Sequence, residues 1–473
     1  MRPFLAILLM AAAGNFYGVH AQEVVTSSAD QQIAVQVTVY NSNVALVKEA
    51  RKFDLPVGSG ELRFTEVAAH IKPTTVLVKS VNQPDLFHVL EQNYEYDLIS
   101  ARRLLDKYVG KRIKIVDWNQ YQDRKQTVDA ELLSNNEGPV YRIDDQIYLG
   151  HPGFQVLPKL PENLIAKPTL MWLFENKGKP SHEIEVSYLT ENITWRADYV
   201  LVLDRDDSAA DLSGWVSLEN NSGATYKNAK LKLVAGDVHR VEDRVKQPKY
   251  KDARESLAQA APPQFEEKPF FEYHLYDLQR PSTLKDKQTK QIRLLDSSGA
   301  KIQKEFLVYG IQSHYSRLYR EETPRQPVAI YVTFKNSQEN KLGMPLPEGI
   351  MRLYKADEKG GLQFIGEDRI KHTPRDEDVR LKIGNAFDVV AQRTQTDFKQ
   401  LTTRSFESRW EIVIRNHKDK DISVGVIEPL YSQWEILEKT HPFKKLDAHT
   451  IRFDVQVPKN GEAKIAYRVR VGL

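Results

Sequence analysis

The stretch Ile451-Arg452-Phe453-Asp454-Val455-Gln456-Val457 places an apolar residue at every second position. Successive side chains of a β-strand point to opposite faces, so this pattern buries one face and leaves the other in water. The same alternation recurs at Ile465, Tyr467, Val469 and Val471, and at Ile330, Val332 and Phe334. The long helical patterns that separate parallel strands are missing. The sequence therefore predicts an all-β, mainly antiparallel fold of β-sandwich modules, with a small helix-plus-barrel insertion.

Composition excludes several classes of protein. The 473 residues include 67 Lys+Arg against 64 Asp+Glu, a formal net charge of +3, and no cysteine. Disulfide scaffolds, zinc ribbons, iron–sulfur sites, thiol nucleophiles and acylated lipoprotein anchors all need cysteine. So small a net charge gives no overall field that would attract nucleic acid. With 41% hydrophobic residues the chain can form globular cores, and its length suggests about three domains.

The N-terminus has the pattern of an export signal. Arg2 precedes an unbroken apolar run over residues 4–13, and Val19-His20-Ala21 supplies a cleavage site. The run is too short to span a bilayer, which needs about 20 residues. We expect cleavage after Ala21, no membrane-spanning segment in the mature chain, and a periplasmic or extracellular location.

Four strand patterns end in the same way, with apolar-x-apolar-charged-Asn. They end at Asn176, Asn220, Asn336 and Asn416, and each is followed by a polar, turn-forming stretch. An Asn amide bonds well to nearby backbone, which suits a strand-to-corner transition. We interpret these asparagines as a shared structural corner; the functional alternative is binding of sugar or metal.

Residues 97–160 differ from the rest. Ser100 can cap a helix through Leu104, Leu105 and Tyr108 that stops near Gly110. Short strands are predicted at 112–116, 128–133, 140–143 and 146–149, typical of a small SH3 or Sm barrel. A basic cluster lies here: Arg102, Arg103, Lys107, Lys111, Arg112 and Lys114. We interpret it as a solvated face and not as a nucleic-acid site.

The search for chemistry finds no strong motif. The sequence contains no phosphate-binding loop, dinucleotide fingerprint, His-Glu-x-x-His or Gly-x-Ser-x-Gly. The histidines are scattered, and the two closest, His441 and His449, flank a predicted turn. We therefore assign no catalytic, cofactor-binding or metal-binding residue and no cofactor.

Two weaker candidates lie close together in the sequence. Asp204, Asp206, Asp207 and Asp211 could supply oxygen ligands to calcium, but an acidic hairpin turn explains them equally well. Trp195, Tyr199 and Trp215 could stack on a sugar, although packing in the core is favoured. Arg196 and Asp198 lie two residues apart on one strand face, so we predict a structural ion pair.

Several stretches resemble exported bacterial proteins related to mucoidy inhibitors, whose shared C-terminal region is a domain of unknown function. They are Thr194-Trp195-Arg196-Ala197-Asp198-Tyr199, Gly214-Trp215-Val216-Ser217-Leu218 and Asn221-Ser222-Gly223-Ala224-Thr225-Tyr226. The resemblance implies a role in the cell envelope that touches exopolysaccharide, and it implies no catalytic residues. Residues 85–166 lack the coiled coil that these relatives tend to carry.

The predicted organisation has seven segments. They are a signal peptide (1–21), an N-terminal β region (22–96), a helix plus small barrel (97–160), a first sandwich part (161–241), a mobile, charged, Pro-rich linker (242–270), a sandwich continuation (271–383) and a C-terminal sandwich (384–473). The leading functional hypothesis is an exported, non-catalytic binding or scaffold protein of the envelope, with a protein or glycan partner. The alternative is an envelope glycan or peptide hydrolase that uses a carboxylate pair.

Overall fold

The computed structural model describes residues 23–119, 124–161, 164–236, 238–239, 264–319, 325–431 and 433–472. Within these ranges strands dominate, and most neighbouring strands are antiparallel. The all-β prediction is confirmed. One α-helix, α1 (Ala101–Tyr108), is present in the described part of the chain, and no helix there is long and apolar enough to cross a bilayer.

The strands of the N-terminal half are β1 (Glu23–Ser27), β2 (Gln32–Tyr40), β3 (Val44–Asp54), β4 (Gly58–Thr65), β5 (Leu77–Ser80), β6 (Phe87–Glu95), β7 (Arg112–Asn119), β8 (Arg124–Ser134), β9 (Val140–Ile143), β10 (Gln146–Leu149), β11 (Phe154–Val156), β12 (Thr169–Asn176), β13 (Ser181–Glu191), β14 (Ile193–Leu203), β15 (Ala209–Asn220) and β16 (Tyr226–Ala235).

The strands of the C-terminal half are β17 (Phe265–Phe270), β18 (Tyr273–Leu278), β19 (Ser282–Leu284), β20 (Gln288–Tyr309), β21 (Gln326–Lys335), β22 (Gly349–Ala356), β23 (Leu362–Ile370), β24 (Asp378–Gln400), β25 (Ser405–Asn416), β26 (Ile422–Pro429), β27 (Gln433–Lys439), β28 (Phe443–Lys445), β29 (Thr450–Val457) and β30 (Gly461–Gly472). Short 3-10 turns lie at Ala29–Gln31, Pro73–Thr75, Pro84–Leu86, Gln312–Ser316 and Gln338–Asn340.

The chain folds into two compact units that interleave along the sequence. The first comprises residues 1–37, 46–191 and 221–229, and the second comprises residues 38–45, 192–220 and 230–473. The domain boundaries given above stay predictions.

In the first unit, β4 pairs with β1 and β12, and β12 also pairs with β6. Trp172 and Phe64 are fully buried on this sheet, with ring centroids 5.8 Å apart. A second, five-stranded sheet has the order β10-β9-β8-β7-β11. Its own small core includes Ile115, Leu132 and Tyr141.

The helix and short strands predicted for residues 100–149 are present. The Ser100 hydroxyl accepts the Arg103 N–H at 3.2 Å and caps α1. The four predicted strands appear as β7 to β10, while the likeness to an SH3 or Sm barrel stays a prediction. Two members of the basic cluster, Arg103 and Lys107, form ion pairs with Asp97 at 2.8 and 3.3 Å.

In the second unit, one sheet follows the order β23-β22-β14-β15-β20-β21-β24-β25-β30-β27. The 22-residue β20 pairs first with β15 and then with β21 and β26. The alternating stretch 451–457 forms β29, and its apolar side chains enter a core that includes Trp410, Val424 and Tyr467.

The last residues of the predicted linker form a strand. Residues 240–263 lie outside the described residues, but β17 begins at Phe265 and pairs antiparallel with β18. Phe265 is 5% exposed. Phe265 is the buried residue of a strand that is otherwise mostly charged and exposed, and composition alone does not reveal such a strand.

The corner interpretation of the four asparagines is confirmed. Each is at most 1% exposed, and each side-chain amide donates to backbone carbonyls of a neighbouring loop. The amide oxygens of Asn176 and Asn416 accept the N–H two residues on, at 2.8 and 3.0 Å. These amides therefore tie strand ends to the loops beside them.

Candidate functional site

Polar side chains form rows across three adjacent strands of the second unit. Thr194 on β14 lies opposite Glu219 on β15, which lies opposite Thr289 on β20. The next row is Arg196, Ser217 and Gln291. Directly opposite residues of an antiparallel ladder share a face, so this end of the sheet carries a continuous polar surface.

Asp198 connects that surface to β22. Its carboxylate accepts from the Ser217 hydroxyl at 2.6 Å, from Arg196 Nε at 3.3 Å and from Arg352 Nη1 at 3.4 Å. Arg352 Nε also reaches Glu367 at 3.2 Å. The predicted pair of Arg196 and Asp198 is confirmed, as one part of a larger ionic network.

A cleft of about 700 Å³ lies at the end of this surface. It is lined by residues 41–42, 194–197, 217, 219, 236, 238–239, 289, 347–350, 369 and 372, all in the second unit. Four consecutive residues of β14 line it, so the cleft reaches the edge of the strand as well as one face. Residues 347–350, which lead into β22, also line the cleft as a consecutive stretch.

The cleft lies where two parallel strands separate. The ladder of β14 and β22 begins at Ala197 and Gly349 and runs towards the C-terminal ends of both strands. Upstream, the Pro347 carbonyl accepts the Tyr199 hydroxyl at 2.9 Å, and Pro347 has no N–H to offer a ladder. The chain before β22 therefore turns away from β14 and leaves a fork.

His372 fixes one side of this fork. Its Nδ1 accepts the backbone N–H of Glu348 at 3.1 Å. The other ring nitrogen, Nε2, lies 3.3 Å from Nδ2 of the Asn41 side chain. His372 thus joins the turn after β2 to the start of β22.

Charges of both signs surround the cleft. Arg369 pairs with Glu348 at 3.2 Å, and their side chains are 67% and 43% exposed. The Arg196 side chain is 53% exposed beside Asp198. Within the described ranges no three His, Asp or Glu side chains come together as a metal ion would require. The arrangement is suited to hydrogen bonding with a polar ligand.

The family model described as Domain of unknown function (DUF4139) matches residues 184–473, more than half of the chain. This chain belongs to the DUF4139 family. No curated protein matches the sequence. Most of the cleft lies within the DUF4139 domain, while Asn41 and Ser42 come from outside it.

The three aromatic candidates of the DUF4139 domain have different environments. Trp195 is 3% exposed and its indole N–H donates to the Val234 carbonyl at 3.2 Å, while Tyr199 is fully buried. Core packing is therefore confirmed for both. Trp215 is half-buried on the polar surface, with the Arg293 guanidinium 4.9 Å from its ring centroid.

The acidic cluster forms a hairpin turn between β14 and β15. Asp204 accepts from the Ser208 N–H and hydroxyl, both at 2.8 Å, and Asp211 accepts from the Gly299 N–H at 2.8 Å. Burial would raise the pKa of Asp207, but ion pairs with Lys304 and Lys355 hold it below its usual value. The hairpin interpretation is confirmed.

A carboxyl group with a raised pKa, as a general acid would need, lies in the first unit. Burial raises the pKa of Glu49 although Arg51 acts against the shift. Glu49 is 5% exposed, and its oxygen accepts from Arg51 Nε at 2.7 Å. A substrate has no access to this acid, so Glu49 is a structural residue.

Sequence reasoning missed His372, Asn41, Glu348 and Arg369. His372 and Asn41 are 331 positions apart, and no local motif connects them. The Pro-Leu-Pro stretch before Gly349 was an available signal, because two prolines before a strand indicate a ladder that cannot extend backwards.

Proposed function

We propose that this protein is an exported, non-catalytic binding protein of the cell envelope, and that the cleft between β14 and β22 is its binding site. One observation carries the proposal: polar groups from seven stretches of the chain converge on one concave surface. Ligand sites are concave and contain polar groups that converge from separate parts of the chain.

The envelope location rests on the sequence. The export signal at residues 1–21 and the resemblance to mucoidy-inhibitor-like proteins both favour it, with a glycan or a protein as the partner. Fractionation of the native host, with sequencing of the mature N-terminus, tests this part. We expect Gln22 as the first residue; an uncut cytosolic chain would refute the export signal.

The hydrolase alternative has less support. Two carboxylates line the cleft, but Glu348 is engaged by Arg369 and Glu219 lies within the polar row of β15. Binding needs no pair of free carboxylates, whereas hydrolysis does.

A blocked cleft tests the binding function. Thr194→Trp places a large side chain in the cleft, and Val202→Trp is the matched control on the same face of β14, outside the cleft. Both variants and the wild type are used to capture envelope extract and to probe a glycan array. We expect Thr194→Trp alone to lose at least tenfold of the specific retention.

Two results would count against this proposal. Equal retention by the wild type and Thr194→Trp would show that the cleft is not the site. Release of cleaved glycan or peptide products that stops in Thr194→Trp would replace the binding function with the hydrolase alternative.

A further inference from the structure

We propose that the ligand of the cleft is a peptide in extended conformation, which pairs with the backbone of β14 at Trp195. This inference rests on the proposed function, because it needs the cleft to be a binding site. Strand addition of this kind supplies main-chain hydrogen bonds for affinity and side-chain contacts for specificity.

The backbone N–H and C=O of Trp195 point towards the β22 side of β14. A Cβ added to Gly349 would collide with the carbonyl oxygen of Ala197, so that oxygen points towards β22. Backbone groups alternate in direction along a strand, so Trp195, two residues earlier, presents its N–H and C=O to the same side. Trp195 and residues 347–350, at the start of β22, both line the cleft.

The ladder between β14 and β22 stops at Ala197 and does not reach Trp195. The β22 register ends at Gly349 opposite Ala197, so the next N–H that could reach the Trp195 carbonyl belongs to Glu348. That N–H is bonded to His372 Nδ1 instead, at 3.1 Å. In the described structure no strand residue pairs with Trp195 on the cleft side.

His372 therefore acts as a positioning residue. Its Nδ1 accepts the Glu348 N–H that would otherwise close the fork, and its Nε2 lies beside the Asn41 side chain. The position next to Trp195 is kept open by the fold. An incoming peptide residue can occupy it and exchange hydrogen bonds with the Trp195 N–H and C=O.

The side chains around this position predict a preference. Arg196 follows Trp195 on the polar face, and about half of its side chain is exposed. The ligand residue next to the one that pairs with Trp195 would place its side chain on this face, beside Arg196. Asp198 pairs with Arg196, but about half of the Arg196 side chain stays exposed to a ligand. We therefore expect an acidic residue at that ligand position.

A displayed library of random octapeptides is the probe that tests this inference. Peptides selected on the mature wild-type protein are re-measured against Thr194→Trp and the control Val202→Trp. The strongest binder is then synthesised with single N-methyl groups at each amide in turn. We expect one sensitive amide, with at least tenfold weaker binding when it is methylated, and tolerance at the amides on either side.

A charge reversal provides a second, independent measurement. Arg196→Glu should select peptides with a basic residue where the wild type selects an acidic one. Thermal melting of each variant checks that it is folded, and the change in selected charge remains informative even where Thr194→Trp is unstable.

The outcomes separate the two proposals. Peptide binding with no N-methyl pattern, or glycan binding that Thr194→Trp removes, would overturn the peptide inference and leave the cleft as a binding site. Peptide and glycan retention that Thr194→Trp leaves unchanged would overturn both.

Discussion

Two regions of the second unit use arginine and carboxylate side chains in opposite ways. At the cleft, Arg196 meets Asp198 with 53% of the arginine side chain exposed. Beside the core that contains Trp410, Arg393 and Glu428 meet at 2.6 Å with both side chains fully buried. The chemistry of the pair is the same, and only the surroundings differ.

The buried pair belongs to a closed circuit of hydrogen bonds. Arg393 donates to Glu428 and, at 3.3 Å, to the Tyr467 hydroxyl. Tyr467 lies 3.0 Å from the Tyr315 hydroxyl, and Tyr315 donates to the other Glu428 oxygen. Burial raises the pKa of both phenols, so they stay protonated.

The difference teaches what each region can do. Buried charges need full satisfaction, because an unpaired one costs several kcal/mol; Gly310 even leaves room for the Glu428 carboxylate, where a Cβ would collide. The cleft keeps Arg196 partly exposed and the edge of β14 open at Trp195. The first region can stabilise the fold, and the second can bind a ligand.

The largest expected effect comes from breaking the buried circuit. Glu428→Gln removes the charge that balances Arg393, and we expect a loss of about 3–5 kcal/mol of unfolding free energy. Glu339→Gln, in an exposed pair with Lys301, is the control and should cost less than about 1 kcal/mol. Urea unfolding measures both; equal losses would contradict the comparison.

A second effect comes from pH at the edge of the same core. His314 is 4% exposed and packs on Trp410 and Tyr319, with Ile311 N–H donating to its Nδ1. Burial, with Arg393 nearby, lowers the pKa of His314 to about 4. The folded state therefore resists protonation, and stability present above the unfolded pKa of about 6.5 is lost as pH falls towards 4.

His314→Gln keeps every carboxylate of the wild type, so a comparison of the two proteins isolates the contribution of His314. Between pH 7 and pH 4 we expect the wild type to lose about 3 kcal/mol more unfolding free energy than His314→Gln. If the two proteins lost the same unfolding free energy over this pH range, His314 would take up its proton as readily in the folded state as in the unfolded state.

The asparagine corners should give an intermediate effect, since they are buried but neutral. Asn416→Ala leaves the carbonyls of Lys420 and Pro458 without their donor, and we expect a cost of about 1–3 kcal/mol. His417→Ala, at the exposed neighbour, should change little. Urea midpoints give the ranking, and a neutral Asn416→Ala would show that the corner forms without its amide.

The smallest effect on stability is expected at the cleft. Arg196→Ala removes a half-exposed cation, while the buried Asp198 keeps its bonds to Ser217 and Arg352. The change should cost less than about 1 kcal/mol, while capture of the selected peptides falls about tenfold. Unfolding and binding are measured on one preparation. If Arg196→Ala destabilised the fold as strongly as Glu428→Gln, the cleft would be a structural region and the contrast would fail.

Parts of both regions could be predicted from sequence. The alternation of β24 and β26 carries a signal that was not used: Arg393 continues the inward series of Val389 and Ala391, and Glu428 continues that of Val424 and Val426. Charged residues at inward positions predict a buried ion pair. Which two residues form it depends on how the strands pack in the tertiary structure. At the cleft, the prolines before Gly349 indicate where the ladder ends, but no pattern connects His372 with Asn41, because they are 331 positions apart.

The sequence by itself determined the strands, the capped helix and the asparagine corners, because these follow from the two-residue period of an extended chain and from bonds over a few residues. Tertiary structure alone decided that β22 joins β14 at Ala197 and separates before Trp195, and that Arg393 lies against Glu428. Strand register sets such contacts, and register depends on the packing of residues that are far apart in the sequence.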